Sequence, residues 1–117
     1  MMKKYSVFQN GDCLADKVGM ASGFFTRLKG LMFRRKLETG EGLLLTDCGQ
    51  IHCCFMRFPI DVVYLDREMK VLYVETVRPW RVGRLVKGSR NVLELEEGKA
   101  VSLNIDDCLM IKENTAA

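Results

Sequence analysis

The chain has 117 residues, enough for one domain over 1–117 and too few for a second core. It is 48% apolar and 28% charged, which excludes a disordered composition, and no apolar run is long enough to span a bilayer. Formal net charge is +3, but the charge is unevenly laid out: windows 27–36 and 78–90 hold ten of the eighteen basic residues and no acid, leaving eight basic against fifteen acidic residues elsewhere.

In chain order, Lys3 to Gln9 and Asp12 to Val18 read as strands joined by Asn10-Gly11, a dipeptide that tolerates positive φ at both positions and favours a tight hairpin. Ser22 is placed as a helix N-cap, and Phe24, Phe25, Leu28, Leu31 and Met32 follow at helical spacing, predicting one helix near 22–34. Beyond the loop at Glu38–Gly42 the period changes to that of strands: Leu43 to Thr46, Ile51 to Arg57, Ile60 to Asp66 and Lys70 to Val77. The last two should form a hairpin at the centre of the sheet. Both faces of Ile60–Leu65 are largely apolar, as in a strand covered on two sides. Pro79 and Gly83 open an irregular basic connection, Asn91 to Leu95 is a further strand, Lys99 to Leu103 reads as one helical turn, and Cys108 to Lys112 closes the chain as a strand. The expected fold is mainly β, a small barrel or sandwich of about seven short strands with that one helix.

The blocks Arg27–Met32, Gly40–Leu45, Ile51-His52, Phe55–Asp66, Pro79–Arg81 and Val92–Leu95 with Gly98, in this order and spacing, resemble the family known as domain of unknown function 192. The resemblance runs from about Val18 to Ile111. It implies a compact, mainly β fold and no particular activity. Cys53 stands where the family commonly has Thr, and Cys54 where a bulky apolar or aromatic residue is common.

Four groups of residues carry chemistry of interest. Cys48, His52 and Cys54, with Cys108 from outside, are soft-metal ligand types, but their spacing matches no standard zinc module. Free thiols are the preferred reading, and no metal or cofactor site is expected. The same residues supply the catalytic candidates: His52, the sole histidine, paired with Cys48 or Cys54 as nucleophile and oriented by Asp61 or Asp47. The alternative gives His52 a structural hydrogen bond. Arg57, Asp61 and Glu94 are polar residues within apolar strands, and a carboxylate there must be paired or must cap backbone N–H groups. Finally, Arg78, Arg81, Arg84, Lys87 and Arg90 recur at every third position around Trp80. In an extended path that period aligns the charges on one side, suited to an anionic ligand. The plainer reading is a solvated loop with Trp80 packed as a lid and the cations neutralised by Glu75, Glu94, Glu96 and Glu97.

The expected function is a small non-enzymatic binding or accessory module for an anionic ligand or partner, with Arg57, Trp80, Arg81 and Arg84 as ligand-binding residues. The alternative is a small enzyme built on His52. No nucleic-acid-binding motif is present. Five cysteines, an odd number, with no leader-like start predict reduced thiols and a cytoplasmic location.

Overall fold

The structure is a computed structural model that describes residues 3–21, 37–47 and 58–115. The expected helix near 22–34, the strand at 51–57, and the candidates Cys48, His52, Cys54 and Arg57 lie outside these residues. Seven strands are present: β1 (Tyr5–Gln9), β2 (Asp12–Ala21), β3 (Glu41–Thr46), β4 (Ile60–Leu65), β5 (Val71–Val77), β6 (Asn91–Glu96) and β7 (Leu109–Glu113). They form one sheet in the order β5-β4-β6-β3-β2-β1-β7. All neighbours are antiparallel except β2 and β3, which are parallel. A parallel pair needs a long crossover, and residues 22–40 supply it.

The β1–β2 hairpin follows from its turn chemistry: Asn10 and Gly11 both take positive φ, 51° and 85°. The β4–β5 hairpin also forms, but it is not central as expected. β5 is an edge strand, and the middle of the sheet belongs to β6 and β3. Period and turn signals locate hairpins; which strand later inserts beside β4 is a long-range choice. The stretch at 99–103 is not a helical turn either. It is a run of i→i+3 turns, with Lys99 N–H donating to Glu96 O and Leu103 N–H to Ala100 O, both 3.0 Å.

The sheet curls into a half-barrel. Its two edge strands approach at one end, where Lys70 and Cys108 bridge. There Val71 N–H donates to Asp107 O and Asp106 N–H to Val71 O, both at 2.8 Å, and Leu109 N–H donates to Met69 O at 3.0 Å. The inner layer draws on every strand: Val7, Val18, Leu44, Val63, Val71, Leu93 and Leu109 among others. The outer layer holds Leu43, Leu45, Ile60, Val62, Tyr64, Val77 and Val92. β3, β4 and β6 are therefore buried on both faces, which is why their sequences are nearly continuously apolar.

Gly42 is needed where β3 pairs with β6: a Cβ there would meet Glu94 O at 2.8 Å and Leu95 Cδ2 at 3.1 Å. Gly42→Ala should cost about 1–3 kcal/mol through overpacking between two buried strands. Urea unfolding checks this; the midpoint should fall with the slope unchanged.

Candidate anion-binding surface

Three polar groups on the central strands separate into distinct roles. Asp61 in β4 faces the inner layer and is 5% exposed. Its Oδ1 accepts from Thr76 Oγ1 at 2.8 Å, directly across the β4–β5 pair. Its Oδ2 accepts from Gly98 N–H at 2.9 Å and Ala100 N–H at 3.0 Å. Asp61 is thus a backbone-capping carboxylate for the turns after β6.

Glu94 in β6 is also 5% exposed, and register sets it between Leu43 and Val62 on the outer, apolar face. No donor among the described residues reaches its carboxyl. Burial pushes it from an ordinary 4.5 up to about 8. Glu75, next along that cross-strand row on β5, is half-buried and well partnered. Its Oε2 accepts from Tyr64 Oη at 2.6 Å and from Arg84 N–H at 2.8 Å.

The segment 78–90 leaves β5 and returns to β6 with no named strand of its own and a single bridge position at Val82. It is not one extended rod. Arg81 N–H donates to Arg78 O at 3.2 Å, and Ser89 N–H to Val86 O at 3.1 Å, so a turn stands near each end. The expected alignment of charges at period three is broken by these turns. Trp80 occupies the third position of the first turn with φ 66°, where Gly or Asn is usual. For a bulky residue this conformation costs about 1 kcal/mol or more. The segment is fastened by Arg84, whose guanidinium lies 5.0 Å from the Tyr73 ring centroid, and by Arg90 N–H on Leu65 O at 2.8 Å.

Arg78, Arg81, Arg84, Lys87 and Arg90 are all exposed. Among the described residues the ion pair formed is Lys3–Glu113, at 3.5 Å and far from this loop. Neutralisation by flanking acids does not occur there: Glu75 takes the backbone N–H of Arg84, Glu94 is buried, and Glu96 and Glu97 pair with none of the five. Trp80 is 64% exposed. The three ligand-binding candidates within the described residues, Trp80, Arg81 and Arg84, therefore share one surface segment. Asp61 is elsewhere, inside the barrel. Sequence reasoning gave Glu94 its polar-in-apolar status but not its place between Leu43 and Val62, which depends on which strands flank β6.

A curled seven-stranded half-barrel carrying an outward basic loop defines the class of protein. The DUF192 family, described as Uncharacterized ACR, COG1430, matches residues 6–111, and the chain belongs to that family. A UPF0127 protein of Pyrococcus abyssi is 33% identical over 93 residues, covering 77% of this chain and 80% of that one. A UPF0127 protein of Thermococcus sibiricus is 29% identical over 100 residues, covering 82% of this chain but only 65% of the relative's length. The crystal structure of a protein of unknown function from Novosphingobium aromaticivorans superposes with a TM-score of 0.76 at 20% identity, covering 91% of this chain and 82% of that one. At that identity the likeness is one of fold. No helix among the described residues is long and apolar enough to cross a membrane.

Two predictions follow from the carboxylates. Asp61→Ala strands two backbone donors and should lower stability by about 2–4 kcal/mol, read by denaturant unfolding. Glu94 has the opposite sign from a paired acid. Its folded pKa, about 8, lies above its unfolded value, so the folded state holds the proton more tightly. Its contribution is fully present below pH 4.5 and is lost as pH rises to about 8, by at most about 1.4 kcal/mol per pH unit. Glu94→Gln should flatten this fall across pH 5–8; an identical pH profile in the variant would refute the assignment.

Proposed function

We propose that the chain is a binding module for anionic ligands or partners, with the 78–90 loop as its contact surface and Trp80, Arg81 and Arg84 as principal contacts. The observation that supports this reading is the set of five exposed cations in one short segment, none paired with a described carboxylate. Like charges held this close repel one another. An external anion relieves that repulsion, and the resulting field steers anions toward the loop. Trp80, exposed and held in a strained backbone conformation, adds a contact face. Strained backbone positions cluster at functional sites.

A cytoplasmic location and a single domain over 1–117 belong to the same proposal. The odd number of cysteines, five, supports a reducing compartment.

Heparin chromatography at low salt tests the surface. The wild type should be retained and elute as salt rises, since screening weakens each contact. Arg81→Glu/Arg84→Glu should elute at clearly lower salt. No retention of the wild type, or equal retention of the variant, would remove the loop as an anion-binding surface.

A further inference from the structure

Anion binding leaves part of the loop unexplained. Trp80 is 64%, Val82 54% and Leu85 75% exposed, three large apolar side chains within six positions. Single exposed apolar residues are ordinary, but a concentrated patch rimmed by charge marks a contact surface. Here the apolar residues alternate with Arg78, Arg81, Arg84 and Lys87.

The fastening of the loop sets how this patch is presented. Val77 is buried at the end of β5, Val82 is a bridge position, and the Arg84 N–H on Glu75 and the Arg90 N–H on Leu65 hold the segment further along. Between them the chain makes two short excursions. The first carries Arg78, Trp80, Arg81 and Val82; the second carries Leu85 and Lys87. Each presents apolar side chains and cations together.

The aliphatic residues decide between anions. A single-stranded nucleic acid would use the indole for stacking and the cations for phosphates, but has no stacking use for Val82 and Leu85. An anionic bilayer surface uses all of them. An indole suits the headgroup level, aliphatic side chains suit the edge of the acyl region, and cations suit anionic headgroups.

We infer that the 78–90 loop docks reversibly on an anionic lipid bilayer surface, with Trp80, Val82 and Leu85 entering the interface and Arg78, Arg81 and Lys87 meeting headgroups. This rests on the anion-binding reading and names the source of the anion. The contact is peripheral, made by one loop, with β3, β4 and β6 remaining buried.

Trp80 is the sole tryptophan of the chain, so intrinsic fluorescence reports on this loop alone. The full chain is titrated with phosphatidylcholine vesicles containing phosphatidylglycerol, and with phosphatidylcholine vesicles alone. A blue shift, and quenching by brominated acyl chains, should appear with the anionic vesicles and vanish at high salt. Leu85→Ser keeps the fluorophore and the charges; it should weaken vesicle binding about tenfold, as expected for losing one buried leucine. Arg81→Glu/Arg84→Glu should lose both vesicle binding and heparin retention. Trp80→Gly, which suits the φ of 66°, is followed by co-sedimentation and should bind vesicles more weakly while remaining folded.

Heparin retention without vesicle binding would overturn the lipid inference and leave the anion-binding reading standing. Vesicle binding with no blue shift, or with Leu85→Ser equal to wild type, would mean charge alone and overturn the insertion. Quenching by oligothymidylate but not by vesicles would assign the loop to nucleic acid. Loss of heparin retention as well would remove the anion-binding reading itself.

Discussion

The Asp61 carboxylate stands at the end of β4 where a curled sheet would otherwise open to water. Its three hydrogen bonds connect β5 to the segment after β6, reaching Gly98 and Ala100, 37 and 39 residues downstream. Those turns cannot satisfy their own N–H groups as a strand would, and they enter the inner layer, where Ala100 is 1% and Leu103 8% exposed. A buried backbone without acceptors would be costly. One carboxylate removes that cost and so allows 97–108 to run from the Asp61 end to the Lys70 end. There the backbone bonds of Val71 with Asp106 and Asp107 complete the closure. The half-barrel is thus held by a polar side chain at one end and by a short backbone ladder at the other.

Burial of β4 and β6 on both faces has a consequence for charge. Every second residue of β6 must face the outer layer, and one of them is Glu94. The layer tolerates it as the neutral acid, because desolvation penalises the anion far more than the protonated form. Glu75, on the same row but at the edge strand, finds the Tyr64 hydroxyl and the Arg84 N–H instead. Two glutamates on one face therefore differ in surroundings because one lies mid-sheet and the other at the rim.

These contrasts explain what could be read from the residues. Turn chemistry at Asn10-Gly11 and the two-sided apolar pattern of Ile60–Leu65 are local, and both hairpins and the doubly covered strand were legible. The position of the β4–β5 hairpin at the edge was not, because it depends on β6 inserting beside β4 and on β3 beside β6. Asp61 was legible as a carboxylate needing donors, but not which ones, since Gly98 and Ala100 are remote in sequence. The basic residues and Trp80 of 78–90 stood out at once as a candidate site. Their exposure did not, because periodicity within a loop says nothing of what covers it, and of the expected acids Glu75 takes a backbone N–H while Glu94 is buried mid-sheet.

The loop's shape is set less by its own sequence than by Glu75. An irregular segment with five like charges would spread if left free, since repulsion and chain entropy both favour expansion. Glu75 prevents this with one oxygen that binds the Arg84 backbone, while its bond to Tyr64, fully buried, fixes the carboxylate itself. The Arg84 guanidinium, with its N–H engaged below it, is free to lie over Tyr73. The inner anchor is thus a phenol in the outer apolar layer, and the outer end is a cation in water. Such a chain of contacts lets a rigid sheet present a charged and partly apolar loop in one arrangement, so that the strain at Trp80 is maintained by the fold and not relaxed by the loop.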